Sequence, residues 1–182
     1  MIDGEIRRKE ILHTLANEER PVSASKFASR FDVSRQIIVG DVALLRASGA
    51  AIIATARGYV LETNETQTGL ISKIAVQHGK EKTEEELRLI IENGGEILDV
   101  IVEHPLYGEL TGMLHIKTEQ DIHSFMKRYK KSNASLLSEL TGGIHLHTIR
   151  YENQTILKNI KQQLAIAGIL YEGELNERET LV

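Results

Sequence analysis

Residues Gly142-Gly143-Ile144-His145-Leu146-His147-Thr148 set two histidines one position apart in an otherwise apolar run. On an extended strand successive side chains alternate faces, so both imidazoles project to the same side. Two co-facial neutral imidazoles suit a divalent transition metal such as zinc, nickel or iron. The chain contains no cysteine, so any metal it holds must use nitrogen and oxygen ligands. A His-x-His pair is a weak signal alone, and its weight depends on what neighbouring elements bring to it.

Two further residues qualify by direction. In a predicted strand over 70–78, Ile74, Val76 and His78 share one face, which puts His78 at the edge of a buried surface. In a predicted helix over 83–93, Glu86 borders the face marked by Leu87, Leu89 and Ile90, whereas Glu85 points to solvent. His145 and His147 share their strand face with Ile149. Three imidazoles and one carboxylate from separate elements would make a four-ligand site with open positions for water or a small anion. A plainer reading stands beside this one. Glu84-Glu85-Glu86 is the kind of acidic run that opens helices to complement the macrodipole, and a lone His78 is ordinarily a satisfied surface or core residue. His115 near a strand end, His123 on an exposed helical stretch and His13 in the first helix are expected to do no chemistry.

The elements that must position these groups fall into two halves. The chain has 182 residues, 41% hydrophobic, 26% charged and 4% aromatic, with no tryptophan. It begins without an apolar signal core, and no apolar run approaches the ~18 residues needed to span a bilayer. The expectation is a cytoplasmic protein that makes no membrane contact. Its net charge of −4 is uneven: residues 1–62 carry nine Lys/Arg against eight Asp/Glu, residues 63–182 thirteen against eighteen. That imbalance fits a small DNA-binding head on a body of another kind. The stretch Glu62-Thr63-Asn64-Glu65-Thr66-Gln67-Thr68-Gly69 has no apolar residue, so the predicted domains are 1–62 and 70–182 with a linker at 63–69.

In the front half, Ile6, Ile11, Leu12 and Leu15 follow helical spacing across 5–17. A second short helix opens at Ser23-Ala24-Ser25 with Phe27, Ala28 and Phe31 inward, and Ser34 is a good N-cap for a third running to about Ser48. Two short extended runs, Ala51–Ala54 and Tyr59-Val60-Leu61, flank a basic turn and make a wing. Helix, turn, helix and wing form a DNA-docking arrangement whose third helix presents Ser34, Arg35, Gln36 and Ile37 to the major groove. Arg35 can bind guanine and Gln36 adenine through paired hydrogen bonds, each for ~1–3 kcal/mol of discrimination, and Arg57 at the wing tip can reach a phosphate or the minor groove. The motifs Pro21-Val22-Ser23, Val33-Ser34-Arg35-Gln36 and Arg57-Gly58-Tyr59 resemble the winged helix-turn-helix head shared with bifunctional biotin-ligase repressors.

The back half reads strand 70–78, helix 83–93, strands 96–104 and 109–117, helix 118–130, strand 144–151 and helix 153–167, with an extended end at 169–172. The fold class is α+β: a winged helix-turn-helix followed by a small ferredoxin-like α/β sandwich of βαββαβ order. From about Ser72 to Leu170 this half resembles the three-histidine (3H) domain. The likeness is carried by Ala75-Val76-Gln77-His78, Asn93-Gly94-Gly95, Asp99 through Glu109 and Gly142 through Thr148. Head and body together resemble the niacin-responsive transcriptional repressors of the NiaR type.

That resemblance implies a repressor of NAD biosynthesis and niacin-uptake genes, with nicotinic acid as co-repressor and a divalent metal in the regulatory domain. Carried onto this chain, the metal ligands would be His78, Glu86, His145 and His147, with Glu84 and Glu85 as neighbouring alternatives to Glu86. Glu103, His104 and Tyr107, in the Glu-His-Pro-Leu-Tyr-Gly string, are candidates for the effector pocket, and Tyr107-Gly108 is equally a tight hairpin turn. A homodimer facing a pseudo-palindromic operator is expected, because one winged head binds DNA too weakly for regulation. A metal-sensing regulator and a metal-dependent enzyme with a DNA-binding head are the alternatives. No nucleophile motif or phosphate-cradling loop supports the enzyme.

Overall fold

A computed structural model describes residues 2–62 and 68–172. Contacts divide the chain into two compact units, Met1–Gln67 and Thr68–Val182. Most of the expected linker, 63–67, lies outside the described residues.

The front unit holds α1 (Gly4–Asn17), α2 (Ala24–Phe31), α3 (Arg35–Ala47), β1 (Ile52–Thr55) and β2 (Gly58–Leu61). Side-chain oxygens of Asp3, Ser23 and Ser34 accept backbone N–H bonds and cap the three helices in turn. Asp32 enters the left-handed region at φ 52° and ends α2, which makes the sharp turn into α3. Ile11, Leu15, Phe27, Ile38, Val42 and Ile52 form the centre of its core. Sequence periodicity had Ile6 inward, but Ile6 is 54% exposed and Arg7 is buried. Arg7, Ile11 and Leu15 are four apart and lie on one stripe, and Asp41 of α3 meets the Arg7 guanidinium there.

The back unit contains β3 (Leu70–Gln77), α4 (Thr83–Glu92), β4 (Glu96–His104), β5 (Gly108–Ile116), α5 (Glu119–Lys131), β6 (Ile144–Tyr151) and α6 (Gln154–Ile166). Its four-stranded sheet runs β3-β6-β4-β5 and is antiparallel throughout. β3 and β4 are therefore parallel and separated by β6, while β5 and β6 are parallel and separated by β4. These are two interleaved split βαβ units, as in a ferredoxin-like fold, but the strand order departs from that expectation. A ferredoxin-like sheet places its first and third strands centrally, whereas here those strands, β3 and β5, are the edges. Their ends are exposed at Leu70, Ile71, Gly108 and Glu109, and edge strands tolerate this better than central ones. Leu170 adds an isolated bridge to Val76, at the expected extended end.

Helix α4 packs against both α5 and α6, and α4 and α6 also touch the sheet. Leu87, Ile90, Ile122, Ile160 and Leu164 of the helices and Ile74, Val76, Ile97, Ile116 and Ile149 of the sheet are all buried. A 3-10 turn at Leu137–Thr141, which periodicity did not anticipate, precedes β6.

Candidate metal centre

β6 alternates strictly, with His145, His147, Ile149 and Tyr151 buried and the residues between them less so. Its register with β3 pairs Val76 with His145 and Ile74 with His147. Directly opposite residues share a face, so the 74-76-78 face of β3 continues the imidazole face of β6. Thr83, Glu86, Leu87 and Ile90 form the buried stripe of α4 above it. The helix phase selects one acid from three: Glu86 is 1% exposed, Glu84 pairs with Arg88, and Glu85 faces solvent.

All three rings turn the same nitrogen toward Glu86. His78 Nε2 is 2.6 Å from Glu86 Oε2, while His147 Nε2 and His145 Nε2 are 3.0 Å and 3.3 Å from Oε1. All three Nδ1 atoms face backbone carbonyls: His78 on Gly79 at 2.7 Å, His145 on Gly143 at 2.9 Å, His147 on Asp99 at 2.7 Å. A carbonyl only accepts, so each Nδ1 carries a proton. In its neutral form each ring therefore aims an Nε2 lone pair at a carboxylate. That is the arrangement in which an outer carbonyl fixes an imidazole's tautomer for metal binding.

The cluster is short of cations. Glu86 Oε1 and His147 Nε2 are both buried and make no hydrogen bond, although they are 3.0 Å apart. Two electron-rich atoms can sit this close only if a proton or a metal ion lies between or beside them. The protein's own response is electrostatic. Burial lowers His78 and His147, but the Glu86 carboxylate outweighs it and raises both rings above their ordinary value. Burial likewise raises Glu86, and the opposing charge of His147 with the other rings reverses this, holding it well below the carboxylate range. Ligand atoms of His78, Glu86 and His145 lie within 4.8 Å of one another, so this buried group can hold a metal ion. His147 is not part of that group of three, although its Nε2 is 3.0 Å from Glu86 Oε1.

Backbone geometry makes the convergence possible. At Gly143, φ is +92°, and a Cβ would lie 2.4 Å from the His78 carbonyl oxygen. Only glycine lets the start of β6 approach the end of β3 so closely. On the other side, register shifts in β4 around Asp99 turn its carbonyl to His147, and its carboxylate accepts from Thr148 N at 2.9 Å.

A small pocket of about 40 Å³, partly open to solvent, adjoins the cluster. Leu87, Val100, Leu114, Phe125, Leu136 and Leu137 wall it, and Thr83 and Ser138 add two hydroxyls. Glu103, His104 and Tyr107 do not line it. They belong to the β4–β5 hairpin, ~13 Å of strand beyond Val100. His104 Nδ1 accepts from Leu106 N at 3.1 Å and Tyr107 N at 3.3 Å, which is a turn-forming role, and Tyr107 is 70% exposed. His13 is exposed on α1 of the front unit, His123 is exposed on α5, and His115 sits in β5 at φ 52°.

In the front unit, Arg35, Gln36 and Ile37 are exposed at the start of α3, and Ser34 accepts from Ile37 N as the cap. Arg57 is half-buried at the wing tip.

Comparison with known proteins matches both halves of the chain. A 3H-domain family model matches residues 71–173, and an HTH-domain model matches residues 7–60. The probable transcription repressor NiaR of Thermotoga maritima is 40% identical over 91% of this chain and 94% of its own length. The transcription repressor NadR of Bacillus subtilis is 40% identical over 92% of this chain and 94% of its own. The chain belongs to the NiaR/NadR family of 3H-domain transcription repressors. Both relatives are described as transcription repressors rather than enzymes, which tells against a metal-dependent enzyme with a DNA-binding head. The helix-turn-helix head is a DNA-binding domain. Among the described residues no helix is long and apolar enough to cross a membrane.

Sequence reasoning missed Asp99, Thr83, Ser138 and the Leu136–Leu137 wall. Asp99 had one visible mark, a lone acid in the apolar run Ile97 to Val102. The others carry none, because their roles arise from elements that meet only on folding.

Proposed function

We propose that this chain is a metal-dependent, nicotinic acid-responsive repressor of NAD biosynthesis and niacin-uptake genes. Residues 1–62 serve as the DNA-binding head, and residues 70–182 as the metal- and effector-binding domain. His78, Glu86, His145 and His147 hold a zinc, nickel or iron ion, with His147 joining the other three by a small movement. The observation that carries this reading is the cluster's shared orientation: three Nδ1 atoms committed to carbonyls and three Nε2 atoms aimed at one buried carboxylate.

A divalent ion there would supply a positive centre for an anionic effector. The residues do the rest. The apolar walls of the adjoining pocket suit the faces of a flat ring once they part to admit it, while the imidazoles and Glu86 would hold the ion. Nicotinate is a flat monoanion and suits both halves of such a site. The protein works in the cytoplasm as a homodimer, and effector binding favours the geometry in which both heads fit a pseudo-palindromic operator. Ser34, Arg35, Gln36 and Arg57 make the DNA contacts. Coupling of this kind typically amounts to ~1–3 kcal/mol.

The test is operator binding by fluorescence anisotropy, using an operator selected from random-sequence duplexes. Nicotinate should tighten binding ~5–150-fold with metal-loaded protein, and not with chelated protein or a His145→Ala variant. Affinity that follows added metal and ignores nicotinate would instead establish a metal sensor.

A further inference from the structure

Ile38, Asp41, Val42 and Leu45 are the buried side of α3, which fixes the rotation of this helix in the front unit. Gly40 is on the opposite side and exposed, and a Cβ there would meet nothing within 4 Å. Among the described residues no contact requires a glycine at this place, and glycine weakens a helix interior relative to alanine. Its neighbours on the helix surface, three residues before and four after, are Ile37 and Leu44. Both are large and apolar, yet they are 37% and 57% exposed. The three positions together make an apolar hollow as deep as one missing methyl group. Arg35 and Arg46, also exposed, put positive charge toward either end of the helix. The ligand of this head is DNA. In the major groove only thymine presents an apolar group, its C5-methyl. A backbone without a side chain is what close approach to such a group needs.

We infer that Gly40 is a specificity-determining residue of the head: the hollow at Gly40, walled by Ile37 and Leu44, receives the C5-methyl of one thymine in each operator half-site. The inference rests on the reading of α3 as the helix that enters the major groove. It extends the contact past the hydrogen-bonding Arg35 and Gln36 to an apolar contact one turn further on. Gln36 is four residues before Gly40 and shares its side of the helix, so the two face neighbouring base pairs.

Fluorescence anisotropy with the zinc-loaded full chain, on an operator selected from random-sequence duplexes, tests this. Deoxyuridine replaces thymidine one position at a time, which removes the methyl and keeps the pairing. At one position per half-site the wild type should lose about fourfold in affinity, the worth of one buried methyl. Gly40→Ala fills the hollow with a methyl of its own. It should bind the thymine operator about tenfold more weakly, as for a mismatched base pair. Deoxyuridine at that same position should restore its affinity. Denaturant unfolding should show Gly40→Ala to be at least as stable as the wild type, so the loss is not one of folding. Equal binding of the thymine operator by Gly40→Ala overturns the inference. So does a weakening that deoxyuridine relieves at no position, or a wild type indifferent to every methyl. Undiminished operator binding by a variant carrying both Arg35→Ala and Gln36→Ala overturns the reading of α3 itself, whereas the preceding results overturn the methyl assignment alone.

Discussion

Glu86 is surrounded by three imidazoles and shielded from water, so its charge and theirs are mutually dependent. His78 and His147 titrate above their ordinary 6.5. Their contribution to the stability of the metal-free back unit is thus present below pH 6.5 and lost as pH rises through the raised folded values. Glu86 has the opposite sense: held below its ordinary 4.5, it contributes above pH 4.5 and loses that contribution as pH falls through its folded value. The metal-free cluster therefore helps most between pH 4.5 and 6.5. Protons on the rings compete with metal, so zinc affinity should rise with pH. Thermal unfolding from about pH 5 to about pH 8, with and without zinc, should show a zinc-induced increment that grows with pH. A constant increment would exclude these imidazoles as ligands. Glu86→Gln preserves shape and removes the charge. It should cost more zinc affinity than the ~10–100-fold typical of losing an outer-shell partner, as read by chelator competition.

At the scale of elements, two glycines make opposite predictions. Gly143 holds a left-handed conformation against the His78 carbonyl, where a Cβ would lie 2.4 Å from oxygen. Gly143→Ala should destabilise the back unit by ~1–3 kcal/mol and weaken zinc binding with it, because β3 and β6 must separate where their histidines meet. Gly40 is exposed in the middle of α3, and a Cβ there would meet nothing within 4 Å. Gly40→Ala should stabilise the front unit by about 0.5–1 kcal/mol in denaturant unfolding, since it removes only the helix penalty of glycine. An unchanged or lowered midpoint would show that α3 is held by something other than its own backbone. Between these elements the bulged stretch of β4 has a quieter part, aiming the Asp99 carbonyl at His147 while its side chain secures Thr148.

At the scale of the whole molecule, two units with separate cores share one chain. Only the back unit contains the histidine cluster, so metal should stabilise that unit by mass action and leave the other alone. Scanning calorimetry should resolve two transitions, with zinc raising the one that belongs to residues 68–172 and chelator reversing the shift. A single transition moved as a whole would show the units to be energetically merged.

Much of this was written into local pattern. Strand alternation alone puts His145 and His147 on one side, and helical spacing alone separates Glu86 from Glu85. The order of helices and strands follows from the same periodicities, to within a residue or two at their ends. Pattern could not distinguish a buried Glu86 from an acid complementing a helix start, nor Arg7 from Ile6 as the inward residue of α1. It marked His104 and Tyr107 as conspicuous, yet the fold spends them on a hairpin. Sequence determined the direction in which each side chain leaves its element, because backbone period is a local property. Tertiary structure alone decided what each side chain meets. The Asp99 carbonyl that sets the His147 tautomer, the Gly143–His78 approach and the pocket that Thr83 shares with Ser138 depend on elements distant in sequence, brought together by burial of a common core.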